Sequence, residues 1–162
     1  MHPLVTQFNF ACDEFERSLE GLNDEDASKR LLPSNSIVWA IAHVGSHLHF
    51  LWVQAAQGRS VTDQLRPLVK EPDSTMPMAE LMNIWRAART AANDFLVTID
   101  DDKLDEHMLW NGKEMPESIG TSLLRIMGHI WYHNGEIQVI RQQLGHTDLP
   151  QFVGDLAGVK YR

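Results

Sequence analysis

The stretch "SIVWAIAHVGSHLHFLW", residues 36–52, constrains this chain more than any other. Read at 3.6 residues per turn, it spreads Ile37, Val38, Trp39, Ile41, Val44, Leu48, Phe50, Leu51 and Trp52 around a helix. A helix that is apolar nearly all round must be covered on more than one side. It therefore demands neighbouring elements long enough to run beside it. His43, His47 and His49 lie in the same segment and argue against a membrane span.

Three other segments have the length and pattern of such neighbours. From about Pro3 to Leu22, the residues Leu4, Phe8, Cys12, Phe15, Leu19 and Leu22 make one apolar stripe, with Pro3 suited to a first turn. From about Met76 to Ile99, Leu81, Ile84, Trp85, Ala88, Ala92, Phe95 and Leu96 share a face. From about Thr121, a good cap, to Leu144, the stripe reads Ile126, His129, Ile130, His133, Ile137, Ile140 and Leu144, with Gly145 as the stop. The apolar segment itself starts at a cap on Asn35 or Ser36 and runs to about Gln57, with Gly58 ending it. A short helix from Asp24 to Arg30 fits the first connection.

Four helices of about 20 residues and no convincing alternating run predict an all-α fold, an antiparallel four-helix bundle in a single domain over 1–162. The connection 58–77 is long and rich in breakers, a length that goes with crossing a bundle end or with a role of its own. The Asn111-Gly112 pair marks a turn in the other long connection.

Four histidines occur as two pairs at one-turn spacing, His43 with His47 and His129 with His133, in the two most apolar helices. Side chains at i and i+4 project from one face, so each pair has the geometry of a chelate. A third ligand from another helix would complete a site in the bundle core, and three histidines leave a position open for water or substrate. Spacing does not choose between His43 and His47. His49 points about 160° away from His47 and falls outside the site. The HExxH signature is absent because Ile130 follows His129. Glu136, three residues after His133, is the candidate catalytic base or partner to a ligand histidine.

Charge narrows the partners. A net charge of −8 with no basic cluster speaks against nucleic acid. Cys12 is the sole cysteine, reads as a small buried hydrophobe, and fits a reducing cytoplasm. The first residues carry no basic stretch followed by an apolar one, so no signal peptide is expected. Because the second helix is apolar on too many sides for a lone bundle, either the 58–77 connection or a second subunit must cover it, and a homodimer is the expectation.

Two motifs and a tail carry a resemblance. "NSIVWAIAHVGSH" resembles the second-helix motif of the DinB-like (DinB/YfiT) superfamily, and "GHIWYHNGEIQVIRQQLG" resembles its fourth-helix motif. The tail "LPQFVG" is similar to the segment that follows that helix in many members. The resemblance implies a four-helix bundle with a divalent metal ion, zinc or nickel, on three histidines: His43, His129 and His133. It thus selects His43 over His47. It also implies relatives that use bacillithiol, mycothiol or glutathione as cosubstrate, and frequent dimers. The functional expectation is a metal-dependent enzyme, such as a low-molecular-weight-thiol S-transferase or a hydrolase, with a small-molecule thiol and an electrophile as partners. The alternative is a non-enzymatic metal-binding or stress-associated bundle. An open site on a cleft lined by Trp39, Trp131 and the 58–77 loop would favour the enzyme; closure by His47 would favour the alternative.

Overall fold

The computed structural model describes residues 1–151. In chain order these form α1 (Pro3–Arg17), α2 (Asp24–Ser28), α3 (Ile37–His49), a π-helical turn (Phe50–Ala55), α4 (Leu65–Lys70), α5 (Met78–Leu96), α6 (Asp101–Asp105), β1 (His107–Trp110), β2 (Lys113–Ser118) and α7 (Ile119–Gln143). Helix α3 with its π-helical extension packs on α4, α5 and α7, and α1 packs on α7. Phe15 meets Trp85 at 5.0 Å between ring centroids, which joins α1 to α5 and closes the ring of four long helices. The expected four-helix bundle is present, with most of the last dozen residues, including much of the "LPQFVG" tail, outside the described residues.

Local chemistry sets the helix ends. Helix α1 starts where the His2 ring accepts the Leu4 backbone N–H at 3.1 Å, with Pro3 in the first turn. It stops at Arg17, earlier than the expected Leu22, because Ser18 turns its hydroxyl back to the Phe15 carbonyl and Gly21 takes a φ of 72°. Ser36, not Asn35, caps α3 by accepting from Trp39 N. Helix α7 begins two residues before the expected cap, since Ser118 Oγ accepts the Thr121 N–H and so takes the cap position itself.

The second helix changes character halfway. Its α-helical ladder ends at His49 and widens into the π turn over Phe50–Ala55, which buries Leu51, Trp52 and Val53 together. Such a turn rotates the following residues relative to the preceding ones. The periodicity of one continuous helix does not hold across it.

The cover for this helix comes from the same chain. Residues 65–70 of the long connection fold as α4, and its Leu65 and Leu68 are buried against the bundle. Gly45 permits the close approach: a Cβ there would lie 3.4 Å from both Leu65 and Trp85. His49 also serves this connection, accepting the Val61 N–H at 3.1 Å. Val38, Leu48, His49 and Trp52 are all buried within one chain. The apolar face that argued for a second subunit is therefore already covered.

One element was not foreseen. β1 and β2 form an antiparallel hairpin around Asn111 (φ 52°) and Gly112 (φ 75°), pairing Trp110 with Lys113 and Leu109 with Glu114. The turn was legible, but the strands are short and mostly exposed, so no apolar alternation announces them. Among the described residues, no helix is long and apolar enough to cross a membrane.

Candidate metal centre

The site is built from α3 and α7, which pack side by side. On α7, Ile126, Ile130, Ile137 and Ile140 are buried and hold the helix to the core. His129 and His133 lie on the shoulder of that stripe, His133 buried and His129 half-buried. On α3, His43 is also half-buried, with Ala42 and Val44 buried on either side of it. The packing that buries the isoleucines thereby brings the three rings together.

Their Nε2 atoms converge. His129 Nε2 lies 3.1 Å from His43 Nε2 and 2.9 Å from His133 Nε2. One candidate ligand atom from each of the three residues falls within 4.8 Å of the others. A neutral imidazole nitrogen either donates once or accepts once. His129 Nε2 therefore cannot make good hydrogen bonds to both neighbours, and lone pairs face one another. The groove that results could hold a cation. Around a tetrahedral ion with Zn–N near 2.0–2.1 Å, ligand nitrogens lie about 3.3 Å apart. The two separations from His129 need to widen by only a few tenths of an ångström and the third lies within 4.8 Å, so the three residues could hold a divalent ion after a small adjustment.

Burial and mutual repulsion disfavour protonation of His43, His47 and His129. Burial, with His47 and His133 adding repulsion, pushes His43 down to about 4. Burial pushes His129 down to about 4 as well, helped by the neighbouring His133, His47 and His43 and by Arg125. His47 is lowered too, first by burial and then by Arg125 and His133. Neutral imidazoles offer the lone pairs that a metal needs.

Two neighbours orient the rings. Glu136 Oε2 lies 2.7 Å from His133 Nδ1, an i,i+3 pair on α7. With the carboxylate accepting the Nδ1 proton, the His133 Nε2 lone pair points into the cluster. Glu136 thus reaches the ring edge away from the converging nitrogens. Trp39 stacks on His43 at 4.5 Å with an interplanar angle of 15°. The Trp39 indole N–H donates to the Val69 carbonyl at 3.0 Å, tying the ring stack to the end of α4. His43 Nδ1 is buried with no hydrogen-bond partner, so on that side the Trp39 stack, not a hydrogen bond, holds the ring.

A cavity of about 510 Å³ opens beside the cluster. His43 and His47 form part of its wall, and Phe50, Leu65, Arg66, Val69 and Lys70 form much of the rest. Of the expected cleft components, the 58–77 connection supplies a whole side, whereas Trp39 does not line the cavity and only donates its indole N–H to the carbonyl of the lining residue Val69. Trp131 does not line it and instead packs 6.1 Å from Phe10 of α1. His47 stands at the edge, its ring 4.8 Å from that of His43 and 5.0 Å from that of His129. It does not belong to the converging triad. The cavity residues Arg66 and Lys70 were missed in the sequence. Their signal was a four-residue spacing beside Leu65 and Leu68, hidden in a connection whose Pro67 reads as a breaker.

Comparison with known proteins agrees with this architecture. A protein of Enterococcus faecalis described as a conserved protein superposes with a TM-score of 0.62 at 13% identity, over 88% of this chain and 96% of that one. A DinB-like protein of Bacillus subtilis superposes with a TM-score of 0.58 at 17% identity, over 92% of this chain and 93% of that one. At such identities these likenesses speak for the fold. A comparison with curated proteins finds no match. The family model of the DinB superfamily matches residues 7–137, from within α1 to beyond His133. The chain belongs to the DinB superfamily.

Proposed function

We propose that this protein is a metal-dependent enzyme of the thiol S-transferase type, with His43, His129 and His133 as ligands to a divalent ion, zinc or nickel. The observation that carries the reading is the convergence of three imidazole nitrogens beside a cavity of about 510 Å³. A group of three protein ligands, with His43 among them lining a ligand-sized space, fits the pattern of a site with an exchangeable position. A divalent ion held there would lower the pKa of a thiol, or of a water in the hydrolytic variant, to near neutrality.

The chain's own residues have defined parts in this scheme. His43 presents its Nε2 from α3, held by the Trp39 stack. His129 and His133 present theirs from α7. Glu136 holds the His133 proton on Nδ1, which makes it a positioning residue in this geometry rather than a base aimed at the open face. Phe50, Leu65 and Val69 supply an apolar wall for the electrophile and limit water around the nucleophile. A cytoplasmic location, where low-molecular-weight thiols are reduced, goes with this reading.

His47 supports a second reading. Its ring lies close enough to His43 and His129 that a side-chain rotation would add a fourth nitrogen and close the site. The protein would then be a metal-pinned bundle without catalysis.

Metal analysis of the purified protein, followed by conjugation assays with a panel of thiols and electrophiles, tests the proposal. Each of His43→Ala, His129→Ala and His133→Ala should sharply lower metal content, whereas His49→Ala should not. Full metal occupancy in His129→Ala would rule out the ligand assignment. His47→Ala separates the two readings: metal retention with unchanged conjugation fits the open site, and metal loss fits the closed one.

A further inference from the structure

Arg66 stands apart from the other described arginines. Arg17, Arg30, Arg59, Arg86, Arg89 and Arg125 each make an ion pair with a carboxylate. Arg141 is buried and donates to the Ser18 carbonyl and the His146 ring. Among the described residues, Arg66 is the arginine with no hydrogen-bond or ion-pair partner. It is exposed, yet it lines the cavity beside the histidine cluster. Lys70 follows one turn later on α4, is also exposed, and lines the same cavity. Both therefore sit at its mouth, across an apolar wall of Phe50, Leu65 and Val69.

Charge at this mouth runs against the rest of the molecule. The chain carries a net charge of −8, which would disfavour an anionic small molecule over most of its surface. Asp63 also lines the cavity but forms no ion pair with Arg66. Two cations against one carboxylate leave the entrance net positive. An unpaired guanidinium presents a planar fork of donors that matches a carboxylate or phosphate.

We propose that Arg66 and Lys70 form the oxyanion-binding end of the substrate cavity, selecting a molecule with an apolar body and a terminal carboxylate or phosphate. The apolar body lies along Phe50, Leu65 and Val69, and the anionic end meets Arg66 at the mouth. The proposal rests on the reading of the cavity as the substrate site of the enzyme proposed above. It adds the chemical class of what enters.

Titration calorimetry with three probes of one shape tests it: 4-phenylbutyrate, 4-phenylbutanol and 4-phenylbutyl phosphate. The expected result is that the anions bind about tenfold or more tighter than the alcohol, the worth of one or two charge-assisted hydrogen bonds. Phosphate above carboxylate, or the reverse, identifies which oxyanion the site favours. Arg66→Gln should remove most of that preference and Lys70→Gln part of it, with alcohol binding unchanged. Both positions are exposed, so these variants are expected to fold, and circular dichroism verifies that they do.

Equal affinity for anion and alcohol, a preference untouched by Arg66→Gln, or no binding of any probe at millimolar concentration would each overturn the proposal. The titrations are repeated on EDTA-treated protein. A preference that persists without metal assigns it to Arg66 and Lys70; one that vanishes with the metal assigns anion binding to the ion and overturns the proposal. If conjugation assays fail while the preference persists, the transferase reading has failed and this one stands.

Discussion

At His133 the two ring nitrogens have separate tasks. Nε2 faces the cluster, and Nδ1 is held by Glu136 at 2.7 Å. Replacing Glu136 with Gln keeps the size of the side chain but weakens its hold on the Nδ1 proton. Metal affinity should fall roughly 10- to 100-fold, the usual cost of losing such an outer partner. A competition titration against a chromophoric chelator reads this directly; unchanged affinity would remove Glu136 from the site. Cys12 gives a second expectation at this scale. It is fully buried between α1 and its neighbours, and burial pushes its thiol up to about 12. The folded protein should show no thiol reactive with a disulfide reagent at neutral pH, and the denatured protein should show one. Rapid native labelling would mean that α1 does not pack as described.

Among the elements, α1 and α5 are joined by a carboxylate clamp. Glu16 accepts from Trp85 Nε1 at 3.0 Å, Arg89 at 2.7 Å and Arg86 at 3.3 Å. Burial alone would push its carboxyl up, but these hydrogen bonds outweigh burial and hold it below the usual carboxylate range. A depressed native pKa stabilises the fold above the unfolded value of about 4.3, and that stability is lost as pH falls through the lower native value. Glu16→Gln should cost about 1–3 kcal/mol at neutral pH by leaving Arg89 and Trp85 poorly paired. It should also flatten the acid limb of the stability curve below about pH 4.3. Urea titrations of both proteins from pH 3 to pH 7 test this, and parallel curves would show that Glu16 carries none of the acid dependence.

For the whole molecule, a metal ion bound at this site would be coupled to the fold. The ligands come from α3 and α7, far apart in sequence, so an ion that binds all three favours the folded chain. At a hundredfold excess over its Kd it adds about 2.7 kcal/mol. Chelation should lower the melting temperature, and His129→Ala should melt at the chelated value with or without added metal. An unchanged melt, with metal shown to be gone, would end the case for a stabilising ion. Assembly is a separate matter. The burial argument for a homodimer disappears once α4 covers the second helix, so a dimer would need a different face. Sedimentation equilibrium at micromolar concentration decides whether two copies associate.

The sequence by itself determined the four long helices, because apolar residues at helical spacing can be buried only one way. It also determined that His43, His47, His129 and His133 come as pairs one turn apart, since that spacing is a local property of a helix. The motif resemblance then selected His43, the member that the structure brings within 3.1 Å of His129. Other features waited for the tertiary structure. The π turn after His49, the folding of 65–70 into α4 and the exposed hairpin depend on what each segment packs against rather than on its own pattern. The cavity has the same origin. Arg66 and Lys70 lie in an unremarkable loop sequence, and only the docking of Leu65 beside Gly45 places them on the cavity that His43 and His47 also line. Periodicity encodes which face of a helix is buried, whereas a pocket is a property of the gap between elements, which no single segment specifies.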